Sequence, residues 1–139
     1  MSAPVDFLKH VPLFQGLSDK QLESLARSFT ERTFQAGKEL TSEGAGGVGF
    51  FVIAKGEATV FVDGVERRTL GPGDYFGELA LLDGGSRTAT ITATSDGTAY
   101  GLAAWEFKPL VERNGALAWP LLETLAKRIR EIEQLQRED

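Results

Sequence analysis

Gly77, Glu78 and Arg87 are the side chains best placed to do chemistry. They lie in the run Phe-Gly-Glu-Leu-Ala-Leu-Leu-Asp-Gly-Gly-Ser-Arg-Thr-Ala-Thr at residues 76–90. A glycine lets the backbone approach a ligand closely. Backbone amides at the start of a short helix, here from Leu79 and Ala80, can cradle an anion. Arg87 offers a planar fork able to neutralise an anionic group through two parallel hydrogen bonds. The Glu78 carboxylate can accept a sugar hydroxyl, as the acidic residue of dinucleotide folds does. Hydroxyls flank the arginine at Ser86 and Thr88. Together these parts suit a ligand that carries both a phosphate and a sugar.

Each residue has a plainer reading. An isolated arginine is most often a solvated loop residue. A glutamate at a helix start is favoured by the macrodipole alone. Thr88 could serve only as a β-branched strand residue. The spacing of Gly77-Glu78 from Arg87 and the Thr-Ala-Thr after it favour the ligand reading over all of these.

Other chemistries are poorly supplied. His10 is the single histidine and there is no cysteine, so neither a Ser-His-Asp triad, a thiolate metal site nor a disulfide framework is expected. No Gly-Lys-Ser/Thr phosphate loop occurs. An enzyme is therefore not expected, and neither is a bound metal. The formal net charge of −5 argues against a nucleic-acid surface, which needs a basic stripe. No apolar run reaches transmembrane length, and the N-terminus lacks a secretory pattern, so a cytoplasmic protein is expected.

The elements that must position the run can be read around it. The chain of 139 residues is the size of one domain, 1–139, and 42% hydrophobic with 25% charged residues suits a globular one. Residues 1–30 read as helical over Val5 to Phe29, with a capping box at Ser18 and Gln21 and a face of Leu22, Leu25, Ala26 and Phe29. Residues 31–103 change to short strands. Phe50 to Ala54, Ala58 to Val62 and Thr88 to Ala93 are β-branched or aromatic, and Lys55-Gly56, Asp63-Gly64, Gly71-Pro72-Gly73-Asp74 and Ser95-Asp96-Gly97 mark turns. That spacing predicts a sandwich or jelly roll. Residues 104–139 return to helix over Trp105 to Arg113, ended by Asn114-Gly115, and over Leu117 to Arg137. In the last helix Leu122, Leu125, Ile129 and Ile132 form an apolar stripe, too short for a stable isolated coiled coil.

The run at 76–90 closely resembles the phosphate-binding cassette of the cyclic nucleotide-binding domain family. Gly77, Glu78, Leu79, Ala80, Leu81, Arg87, Ala89 and Thr90 match its pattern. Ser86 departs from it, standing where many members carry proline. Phe34, Gly37, Leu40, Glu43-Gly44, Phe51 to Ile53, Gly56 and Gly73 to Glu78 also stand where the family pattern expects them, while residues 45–49 depart from its acidic turn. The resemblance implies a mainly β fold: a double-stranded β-helix jelly-roll barrel with an N-terminal helical segment and two C-terminal helices. It implies cyclic AMP or cyclic GMP as ligand. Gly77 to Ala80 would supply amides, with the Glu78 carboxylate on the ribose and Phe76 among the site residues before them. Arg87 and Thr88 would take the phosphate, with Ala89 beside them in the site, and Val60 would line the base pocket or serve as plain core. In some cyclic-GMP-preferring members a threonine at the place of Thr88 also contacts guanine, but cyclic-AMP binders carry threonine there too. The C-terminal helix of the family closes over the base, so Ile129, Ile132 or the stem of Arg130 would cover it.

The implied function is a stand-alone sensor that signals through that helix to a protein partner. DNA-reading helices like those that follow this helix in catabolite-activator relatives are not expected. A homodimer through the stripe is open. So are a barrel that senses a different small effector and an interaction module with a vestigial nucleotide site.

Overall fold

The computed structural model describes residues 4–41, 49–77, 80–83 and 89–138. Its central element is strand β3 (Gly49–Lys55), which pairs with β8 (Gly97–Ala103) on one side and β6 (Tyr75–Phe76) on the other. With β1 (Thr30–Phe34) these make a four-stranded antiparallel sheet in the order β1-β8-β3-β6. A second four-stranded sheet has the order β2-β7-β4-β5, from β2 (Glu39–Thr41), β4 (Ala58–Val62), β5 (Val65–Leu70) and β7 (Thr90–Ala93). The chain crosses from one sheet to the other between β1 and β2 and again at almost every later connection. This winding is that of the expected jelly roll.

Both faces of β3 are buried, which is why Phe50 to Ala54 reads as a continuous apolar run rather than an alternating one. Phe50 and Val52 point to the helices, while Ile53 and Phe51 point into the barrel. The sequence did not single out β8 as a strand, because Gly97 and Gly101 weaken its pattern. The structure shows why glycine stands at 101. A Cβ there would lie 2.7 Å from the Phe51 ring, so the ring occupies the place of the missing side chain.

The helices cover the outer face of the first sheet. The expected helical stretch Val5 to Phe29 is three short pieces: α1 (Val5–Leu8), a 3-10 turn at Pro12–Phe14, and α2 (Asp19–Ala26). Pro12 opens the turn, where its missing amide and fixed φ are tolerated. The capping box is present: the Gln21 N–H donates to Ser18 Oγ at 3.2 Å, and the Ser18 N–H donates to Gln21 Oε1 at 2.9 Å. Phe14 and Phe29 meet the Phe50 ring edge-on, with centroids 5.7 Å and 5.8 Å away. Such pairs add about 0.5–1.5 kcal/mol each beyond area burial.

After β8 come α4 (Ala104–Arg113), a 3-10 turn at Gly115–Leu117 and α5 (Ala118–Glu138). The start of α4 is satisfied by Glu106, whose carboxylate accepts the Ala103 N–H at 3.1 Å. Helix α5 packs chiefly on the two 3-10 turns, through buried Leu117 and Leu121 and half-buried Leu125. Beyond Arg128 every residue through Arg137 is exposed.

Candidate functional site

The approach to the 76–90 run is held by a tight turn. The Gly71 N–H donates to Asp74 Oδ2 at 2.8 Å, and the Asp74 N–H donates to the Gly71 carbonyl at 3.0 Å. The turn is tied to the centre of the molecule by a reciprocal pair. The Gly73 N–H donates to the Ile53 carbonyl at 2.7 Å and the Ile53 N–H to the Asp74 carbonyl at 2.8 Å. β6 then runs beside β3, with Phe51 opposite Phe76 and their rings stacked at 5.3 Å.

Gly77 follows with φ 85°. A side chain there would be strained, so the sequence places glycine where the chain must turn out of β6. A single helical turn, α3 (Ala80–Asp83), comes next, and its Leu81 is buried in the helix-side core. The chain rejoins the barrel at half-buried Ala89 and enters β7 at Thr90. β7 sits between β2 and β4, with Val60 opposite Ile91. The expected strand Thr88 to Ala93 therefore begins, among the described residues, at Thr90, and Ala89 is a bend.

Of the residues expected to bind ligand, three are brought to one place. Val60, Phe76 and Ala89 share an apolar cluster with Ile53, Leu70 and Ile91 inside the barrel. Gly77 follows Phe76 directly in the chain, and Ala80 opens α3. Glu78, Leu79, Arg87 and Thr88 lie outside the described residues. Arg130 and Ile132 are not brought to the barrel, since both are exposed on the outer part of α5. Among the described residues no cluster of His, Cys, Asp or Glu could hold a metal ion. No described helix is long and apolar enough to cross a membrane.

The arrangement is an apolar barrel interior with a glycine-led backbone turn at its rim and a one-turn helix behind it. Such a rim suits an anion approached by backbone amides, and such an interior suits a flat apolar body.

Comparison with known proteins agrees with this geometry. Residues 31–114 match the model of the cyclic nucleotide-binding domain. The chain is 33% identical over 131 residues to the cyclic AMP receptor protein of Thermus thermophilus, covering 91% of this chain and 61% of that one. It is 44% identical over 91 residues to a cAMP-dependent protein kinase regulatory subunit of Eremothecium gossypii, covering 65% of this chain and 20% of that one. It therefore spans only part of the length of these relatives. Among solved structures, the N-terminal domain of a transcriptional regulator from Streptomyces coelicolor superposes with a TM-score of 0.84 at 33% identity, covering 93% of this chain and 96% of that one.

Proposed function

The chain belongs to the cyclic nucleotide-binding domain family, and from that premise we propose that it is a cytoplasmic regulatory sensor of a cyclic purine nucleotide, without catalytic activity. The observation that carries the reading is the 76–90 run set between β6 and β7, with Gly77 at φ 85° and α3 beginning at Ala80. The matching residues are assigned their roles in turn. Arg87 neutralises the cyclic phosphate, and Thr88 adds a hydroxyl to it. Amides from Gly77 to Ala80 complete the anion cradle. Glu78 accepts the ribose 2′-hydroxyl. Val60, Phe76 and Ala89 form the apolar wall against which the ligand lies. The names of the relatives favour cyclic AMP, and Thr88 keeps cyclic GMP as the second nucleotide to test.

Signal leaves through α5. Its first turns are anchored on the 3-10 segments while Ile129 and Ile132 stay more than half exposed. A ligand that binds better when Ile129, Ile132 or Arg130 covers its base would shift the helix towards the barrel. The shift cannot exceed the difference in affinity between the two arrangements. The output is received by a protein partner or by a second copy of the chain.

A second reading, an interaction module whose nucleotide site is vestigial, draws on the same exposed stripe. Calorimetric titration separates the two. Cyclic AMP or cyclic GMP should bind at micromolar concentration or better, with 5′-AMP and 2′-deoxy cyclic nucleotides much weaker. Equal binding of cyclic and linear nucleotides, or no binding of either, would defeat the sensor reading.

A further inference from the structure

A cavity opens in the barrel beside β1 and β2. Its volume is about 190 Å³. The floor is apolar, made of the rings of Phe34, Phe51 and Phe76 with Ala99. The mouth is polar, with Arg32, Lys38 and Glu39 all exposed. Two cations and one carboxylate leave a single net positive charge at the opening.

Size limits the occupant. Ligand pockets for drug-sized molecules run from about 300 Å³ upward. A dry apolar cavity of about 150 Å³ holds one benzene molecule. The present cavity is thus too small for a nucleotide and large enough for one aromatic ring with a short polar group.

The charge pattern chooses that group. The vacant Cβ position of Gly101 lies 2.7 Å from Phe51 Cε1 and 3.4 Å from Arg32 Nε, so the guanidinium and the ring that forms the floor border the same gap. A guanidinium in that position meets a carboxylate with two parallel hydrogen bonds, while the ring of the same ligand stacks below it. Lys38 adds a point charge at the mouth.

We propose that this cavity is an accessory site for a small aromatic monocarboxylate, separate from the nucleotide site. The inference goes beyond the sensor reading and does not depend on it. Phe76 is the shared wall, because it closes this floor and also precedes Gly77. Occupancy would therefore be felt at the start of the 76–90 run.

The test uses benzoate as probe and nitrogen-15 amide shifts of the full chain as readout. Benzoate should give saturable shifts at Phe34, Phe51 and Ala99 both with and without saturating cyclic AMP. The double variant Arg32→Gln, Lys38→Gln changes exposed residues only and should stay folded. It should lose benzoate affinity roughly tenfold or more while binding of neutral toluene is unchanged. Ala99→Leu, which fills the floor, should lose both ligands. Absence of saturable shifts would overturn the proposal. So would shifts that vanish when cyclic AMP is added, or equal benzoate affinity in the double variant. If cyclic AMP fails to bind, the sensor reading falls while the benzoate arm still decides this one.

Discussion

Phe50 and Val52 on β3 are completely buried, whereas Ile129, Ile132 and Leu135 on α5 keep 57%, 56% and 62% of their surface exposed. Both elements carry large apolar side chains. On β3 they are enclosed by helices on one face and by the barrel interior on the other. On α5 they are enclosed only as far as Leu121 and, in part, Leu125. The first arrangement suits a scaffold, because Phe50, Val52 and Ile53 have no surface left to offer. The second suits an output, because apolar surface left in water favours any new surface that covers it, by about 25 cal/mol per Å².

The comparison can be broken hardest at its buried end. Phe50→Ala should destabilise the protein by about 3–5 kcal/mol, since it removes a fully buried ring and leaves the rings of Phe14 and Phe29 facing a cavity. Denaturant unfolding checks this, and a loss well under a kilocalorie would show that the helix-side core is loosely packed.

Next comes the proposed nucleotide site. Arg87→Ala should leave unfolding unchanged and weaken cyclic nucleotide binding by about 1.5–3 kcal/mol, rising to ~3–5 if the phosphate is left buried and unpaired. That is roughly ten- to several-thousand-fold in calorimetric affinity. A variant that binds as the parent does would remove the arginine from the site.

A smaller effect is expected at Gly77→Ala. The position has φ 85°, so a β-carbon there costs about 1–2 kcal/mol of backbone strain. Thermal unfolding should register that loss together with weaker nucleotide binding. Retention of both would mean that the turn is free to relax.

The smallest effect belongs to the exposed end. Ile132→Ser should change ligand-free stability by no more than about 0.5 kcal/mol, as exposed positions do. If α5 closes over the ligand, the same variant should weaken nucleotide binding. In the parent, saturating nucleotide should then slow amide exchange at Leu125 to Leu135 as well as at Gly77 to Thr88. Exchange in the helix that ignores the ligand would make α5 scaffold after all.

Much of this molecule could be read in advance, for reasons that differ by element. Ser18 and Gln21 specify a helix start through contacts three residues apart, and both hydrogen bonds are present. Phe50 to Ala54 and Ala58 to Val62 read as strands because their side chains leave few alternatives to a buried pleat. β8 carries no such signal of its own. Its glycines look like poor strand residues until the Phe51 ring is seen in the space beside Gly101. The segment Val5 to Phe29 looked helical throughout because its apolar spacing crosses Pro12 and Gly16 without a break. In the structure Gly16 marks a close approach instead, since a Cβ there would lie 3.0 Å from Thr124 Oγ1 on α5.

Local chemistry thus determined the Ser18–Gln21 cap and the strands at Phe50 to Ala54 and Ala58 to Val62, because capping and strand preference act over a few residues. The gathering of Val60, Phe76 and Ala89 around one interior cluster was decided only by tertiary structure, as was the small cationic-mouthed cavity beside it. So was the choice of which apolar stripe to bury. β3 offers a continuous apolar run and α5 a one-faced stripe, and no local rule says how far along α5 burial extends. The difference arises from area: the sheet has helices on one side and a barrel on the other, while α5 runs past the last surface against which it could pack.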